Sequence, residues 1–373
     1  MSTTGRPDAN APAASDVAAR LADAEFVRLV AAADGDAVAA TGLFARTLDA
    51  RDTPYQATVA PLPERADRAT DADLTVSIGR AAATADLTLG VETVASATAF
   101  EAASEIGSPD PLLALAGIVA AGEVPSGTPL EAAQAMGLER RPGVAIPTAD
   151  LVDGLAHSTL VAAPFSGSED ATADLLAEFD TDQRDEETRR RIASLVALAV
   201  AGDEHGTEQG TRAVERMLRP YVGGPFETIG GYADVLDAVA RERPGLAVAL
   251  AVGSLDTETA LDSWRTHGKR AHAALSTART GRYDGLFVVR CDDPAPVGTV
   301  ARLARDFRSP EPVVLVVADD EAAALGPAEA AIGDAMETAI QTVDGEAAGT
   351  PTRGRARFAA DETEFVLAFR EAQ

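Results

Sequence analysis

Asp34 and Asp36 flank Gly35 directly after the apolar run Phe26 to Ala33 and directly before a helical pattern. A carboxylate at the end of a strand is a ligand for a hard divalent cation. Paired cations of that kind activate water against phosphoesters. Asp-Gly and Gly-Asp are also common turn pairs, and a helix cap needs a carboxylate in the same place. Dinuclear chemistry requires several further carboxylates and imidazoles. Besides Asp34 and Asp36, an alternative ligand set would have to draw on Asp71, Asp73, Asp86 and Glu123. His267, Lys269 and His272 cluster near Trp264 at helical spacing, which fits a solvated helix face better than a site. Cys291 ends the apolar run Leu286 to Val289 and reads as a small strand-end residue rather than a nucleophile.

A second constellation lies near the C-terminus, where Arg353, Arg355 and Arg357 alternate with Gly354 and Ala356. In an extended chain alternate side chains share a face, so three guanidinium groups would point one way and clasp phosphates bidentately. An edge strand blunted with charge gives the same pattern. The sequence leaves both readings open.

The elements that position these residues alternate between strand and helix. Strands are expected at 25–31, 55–60, 71–78 and 85–91, with a helix over 36–50 whose Val38, Thr41, Ala45 and Leu48 share one face. Such alternation implies a mostly parallel sheet, with ligands at the carboxyl ends of its strands, where Asp34, Ser77 and Gly79 lie. Helices are expected over 112–121, 186–201, 211–218 and 232–243, the last ended by Pro244. Arg189 to Arg191 then lie on a solvated face. The final third returns to α/β: strands at 285–290 and 313–318, helices at 297–307 and 327–339, and short elements at 353–358 and 365–369. The expected organisation is an α/β chain of two lobes. A disordered tail covers 1–19. A first lobe with a mostly parallel sheet and helices covers 20–200. A helical connector covers 201–284, and a C-terminal α/β lobe covers 285–373.

The chain has 59 acidic against 32 basic residues and a formal net charge of −27. Lys269 is its one lysine. Molar salt shortens the Debye length to roughly 3 Å and screens the self-repulsion of such a surface. The composition therefore fits a salt-adapted archaeal cytoplasm. Any nucleic-acid binding there relies less on phosphate neutralisation, which falls steeply with salt. A single cysteine excludes an intrachain disulfide framework and a cysteine-based zinc site. No run approaches the ~18 apolar residues of a membrane span, and a P-loop and a nucleophile elbow are both absent.

Across roughly Glu25 to Ala348, the order of segments resembles the RecJ branch of the DHH phosphoesterase superfamily. Asp34-Gly35-Asp36 resembles the first motif of that family, Val76 to Gly79 the second, and Leu115 to Ala121 the helix carrying the fourth. Pro164 to Gly167 and Gly223 to Leu236 resemble segments of archaeal RecJ-like proteins, and 296–304 with 312–317 resembles the DHH-associated C-terminal domain. The departures lie in the metal site and in the C-terminal lobe, where Thr350 to Phe358 stands in place of the family's glycine-rich loop with a histidine. Val30 and Ala32 stand where the resemblance implies two earlier ligands, Ser77 where it implies an aspartate, and Ala121 or Gly122 at the fourth-motif aspartate. The Asp-His-His triplet is absent, since no histidine lies between Asp86 and Ser96. Alanine and valine cannot ligate a cation.

The departures from the family pattern imply a catalytically inactive protein, with Asp34, Gly35 and Asp36 as a motif remnant, Ser77 and Ala121 as degenerate positions, and no metal cofactor. On the alternation of the arginines, it would bind single-stranded DNA or RNA through Arg353, Gly354, Arg355 and Arg357. It would serve replication or repair assembly, as does the inactive RecJ relative of the eukaryotic replicative helicase, with GINS and MCM proteins as partners. The alternative is an active Mn²⁺- or Mg²⁺-dependent single-strand exonuclease or small-nucleotide phosphodiesterase. A structural paralogue with no nucleic-acid contact is the third reading. A cytoplasmic location without membrane attachment is expected in each case.

Overall fold

In the computed structural model, which describes residues 12–62, 71–82, 84–179, 185–202, 207–292 and 294–373, the first apolar run forms the centre of a parallel sheet. β1 (Val27–Ala32) is flanked by β2 (Tyr55–Ala60) and β3 (Leu74–Ile78), and β4 (Leu87–Leu89) adds to β3, all parallel. α1 (Ala14–Asp23) precedes β1 and buries Val17, Ala18 and Leu21. Residues 14–19 are therefore helical where a tail was expected, because these three apolar positions share one helix face. Residues 1–11 lie outside the described residues, as does His205.

α2 (Gly35–Asp49) is buried along almost its whole length. Its small side chains let α3 (Ala95–Ile106) and α4 (Pro111–Ala120) approach closely: a Cβ on Gly117 would stand 2.5 Å from Ser96 and 2.6 Å from Ala39. The abundant alanine thus has a packing role here. The middle of the chain follows as α5 (Gly127–Ala135), β5 (Glu139–Arg140), α6 (Leu151–His157), α7 (Glu169–Leu176), α8 (Glu186–Ala201), α9 (Glu208–Met217) and β6 (Tyr221–Val222), with β5 and β6 paired antiparallel. α10 (Ile229–Glu242), α11 (Pro244–Val252) and α12 (Thr257–Thr277) complete it. α10 is buried from Ile229 to Ala240 and packs its apolar side into the N-terminal core.

The C-terminal sheet is mixed, with spatial order β11-β12-β10-β9-β8-β7. Its strands are β7 (Arg279–Tyr283), β8 (Leu286–Cys291), β9 (Val313–Ala318), β10 (Glu321–Leu325), β11 (Gly345–Thr350) and β12 (Arg353–Phe358), and only β8 and β9 run parallel. α13 (Val297–Phe307) covers one face, while α14 (Ile332–Val343) and α15 (Glu362–Ala372) cover the other. Every side chain of β9 is buried, so both faces need cover. Ile192, Val196, Val200 and Met217 of α8 and α9 join α13 in supplying it. The segment 151–200, expected within the first lobe, therefore packs its apolar side into the core of the second.

The histidine cluster also differs from its reading as a solvated face. Trp264 and His267 are fully buried and His272 nearly so. The indole N–H of Trp264 donates to Asp234, the His267 ring meets Glu242 and Thr299, and Nε2 of His272 meets the Ser158 carbonyl oxygen. α12 packs against helices of both lobes, so its histidine-bearing face is buried while Lys269 stays exposed. Among the described residues no helix is long and apolar enough to cross a membrane.

Candidate functional site

The carboxyl ends of β1 and β3 face a cleft of about 990 Å³, closed on its far side by β10, β11 and β12 of the second lobe. Asp34 stands at its base. It is the N-cap of α2, with Oδ1 accepting the Ala37 N–H at 2.9 Å. Its other oxygen, Oδ2, lies 3.1 Å from Nη1 of Arg353, so the two lobes meet in an ion pair.

Asp36 points away from this base. Its two carboxylate oxygens each accept a backbone N–H at 2.8 Å, from Ala95 and Ser96, which begin α3. The residue that precedes α3, Val94, has no side-chain oxygen to offer, and Asp36 caps the helix in its place. It is Asp34, rather than Asp36, that caps α2. Burial, with the Asp34 charge second, raises the Asp36 carboxyl from 3.8 to about 6.

A third carboxylate at the cleft base is one the sequence reading did not single out. Asp237, on α10, accepts the Gly35 N–H at 3.0 Å and receives Arg241 through two nitrogens, each at 2.9 Å. Nη2 of Arg302 lies 4.0 Å from it. Although Asp237 is buried, Arg241 and Arg302 hold its carboxyl down at about 2. The signal for this pair is an Asp and an Arg at i,i+4 inside a largely apolar helix, where a buried charge needs a partner.

The other candidate residues are distributed as follows. Ser77 is fully buried and donates to the Arg80 carbonyl oxygen at 2.9 Å. Ala121 ends α4 on the cleft wall, beside Gly122 and Glu123. Asp73 and Asp86 lie before β3 and β4, at the sheet end opposite the cleft, where they accept the N–H groups of Phe26 and Thr75. They cannot join Asp34 in a ligand set. Asp71 adjoins Asp73 at that same end. Arg353, Arg355 and Arg357 do share one face of β12, while Gly354, Ala356 and Phe358 are buried on the other. β12 is paired on both sides, by β10 and β11, so it is not an edge strand. Of the three arginines, Arg353 reaches the cleft base, Arg355 and Arg357 pair with Glu321, and Arg357 also meets Asp320. Gly354 faces inward, where a Cβ would come 2.6 Å from Met336.

The donor set does not fit a divalent metal. Among the described residues no three His, Cys, Asp or Glu side chains are grouped to hold an ion. Asp34 and Asp237 are each satisfied by a guanidinium group, and both oxygens of Asp36 are committed to backbone N–H groups. The cleft lining is nevertheless basic: among the described residues it carries ten arginines against eight carboxylates. The chain as a whole has a formal net charge of −27. Such a lining suits an anion, since guanidinium groups match phosphate oxygens bidentately.

Residues 278–371 match the family model described as uncharacterized protein rrnAC1427, C-terminal domain. Over 378 residues the chain is 55% identical to uncharacterized protein rrnAC1427 of Haloarcula marismortui, covering 100% of both chains. Among solved structures, CDC45 from Entamoeba histolytica matches with a TM-score of 0.60 at 9% identity, covering 96% of this chain and 97% of that one. RecJ in complex with Mn²⁺ from Thermus thermophilus matches with a TM-score of 0.48 at 15% identity, covering 96% of this chain and 53% of that one. The likeness to the CDC45 structure shows a shared fold over nearly the whole of both chains.

Proposed function

We propose that this chain, which belongs to the family of Haloarcula marismortui rrnAC1427, is a catalytically inactive member of the RecJ-like fold that holds a single-stranded nucleic acid in its inter-lobe cleft. The observation that carries this reading is the arginine-lined cleft in a strongly acidic chain. In a chain of that net charge, this cleft is where a polyanion meets cations in a partly enclosed site, and charge–charge contacts there outlast screening by salt. The donors support inactivity: Asp34, Asp36 and Asp237 at the cleft base are each already bound by the protein. On this reading the protein serves replication or repair assembly in the cytoplasm, with GINS and MCM proteins as the contacts the family resemblance suggests.

The test is fluorescence anisotropy of labelled single-stranded DNA and RNA across a KCl series, with EDTA or Mn²⁺, followed by a gel of the products. Binding in EDTA without cleavage in Mn²⁺ is expected. Replacing Arg353, Arg355 and Arg357 together with Ser should weaken binding about tenfold to a hundredfold, ~1.4–2.7 kcal/mol, while circular dichroism stays native. Mn²⁺-dependent products would overturn the inactive reading. Failure to bind either strand would overturn the nucleic-acid reading, and a pull-down against GINS and MCM proteins tests the partners separately.

A further inference from the structure

The Asp34–Arg353 contact has an unequal balance on its two sides. Asp34 has other support: its Oδ1 keeps the Ala37 N–H, and the first turn of α2 favours a negative charge. Arg353 has less. Among the described residues its guanidinium pairs with Asp34, 3.1 Å from Nη1 in an ion pair without hydrogen-bond geometry, and a third of its side chain is exposed to the cleft. The neighbouring arginines are committed elsewhere. Arg241 grips Asp237 with two nitrogens, and Arg302 donates to the carbonyl and the hydroxyl of Thr159 at 2.8 Å each. Arg353 is therefore a cleft-base cation with donors to spare, and its partner is a carboxylate that loses little when left.

We propose that Asp34 is the resident anion of a phosphodiester site: a backbone phosphate replaces it on Arg353, and until then the pair pins the two lobes together. This inference rests on the nucleic-acid reading above and assigns its central contact. A phosphodiester presents two non-bridging oxygens to the guanidinium fork, where Asp34 uses one nitrogen. After the exchange the Asp34 carboxylate retains its cap bond. The carboxylate also repels the incoming phosphate, so it opposes binding twice, as competitor and as like charge. A remnant of a metal-ligand motif thus acts against the ligand.

The consequence runs opposite to that of a metal ligand. Asp34→Asn keeps a side-chain oxygen for the Ala37 N–H, since Asn is as good an N-cap as Asp, and removes the charge. It should bind a fluorescein-labelled single-stranded oligothymidylate in EDTA roughly threefold to thirtyfold more tightly than wild type, about 0.7–2 kcal/mol. Arg353→Ser should bind more weakly than wild type, and Asp34→Asn combined with Arg353→Ser should lose the gain. Asp34→Ser, which also keeps a cap oxygen, replaces Asp34→Asn if the latter melts early. Unchanged or weaker binding by the Asp34 variants, with wild type binding, overturns the resident-anion proposal and leaves the nucleic-acid reading standing. No binding by wild type or by any variant overturns both.

Discussion

Asp36 is a buried carboxylate held between two opposing influences. Its two backbone N–H partners favour the charged form, whereas burial and the Asp34 charge favour the neutral one and prevail, raising its pKa from 3.8 to about 6. A folded-state pKa above the unfolded value means that the group's contribution to stability is complete below about pH 4 and is lost as pH rises through about 6. Asp36→Asn lacks that titration. The stability of wild type relative to Asp36→Asn should therefore fall by about 1–3 kcal/mol between pH 4 and pH 6. Denaturant unfolding in molar KCl measures it, and a difference that stays constant with pH would refute the assignment. Asp237 runs the other way. With its carboxyl at about 2, its stabilising contribution is present above 3.8 and is lost only as the pH falls through about 2, so it leaves the window from pH 4 to 6 undisturbed.

At the level of elements, α12 carries the contact between the lobes. Its Gly268 lies where a Cβ would stand 2.0 Å from the His157 carbonyl oxygen at the end of α6. Glycine inside a helix ordinarily costs about 1 kcal/mol relative to alanine, so Gly268→Ala would stabilise an exposed helix. Here the backbone of α6 cannot yield as a flexible side chain would. The substitution should instead destabilise the protein by roughly 1–3 kcal/mol, read from thermal melts, and a raised melting temperature would contradict this packing. β12 offers the complementary case. Its arginines share a face because the strand is extended, yet two of the three are paired within their own lobe and only Arg353 reaches across. The period of two placed all three side chains on one side, and the neighbours on that side set which was left for a ligand.

For the whole molecule, charge decides the conditions of folding. A net charge of −27 opposes compaction unless it is screened. Circular dichroism across a KCl series should show structure lost on transfer to dilute buffer. An unchanged folded signal near ~0.1 M, where the Debye length is about 10 Å, would argue against salt adaptation. The two lobes share this burden unevenly, because the cleft between them is locally basic. Loss of screening should therefore act on the outer surface before it acts on the inter-lobe contact.

The sequence alone determined what depends on neighbours along the chain. Strands at 55–60 and 313–318 and helices at 186–201 and 297–307 have the bounds their periodicity implies, because apolar spacing reports local geometry directly. The two α/β lobes follow from the order of such segments, and the missing histidines and carboxylates were legible as residue types. Tertiary structure alone decided the pairings. Asp36 caps α3 rather than α2 across 59 and 60 residues of sequence, Asp237 meets Gly35 across 202, and Arg353 meets Asp34 from the other lobe. The helices of 151–200 serve the second core, and α12 buries Trp264, His267 and His272. A buried charge takes whichever partner the packing brings within reach, and that distance is not written in the local pattern.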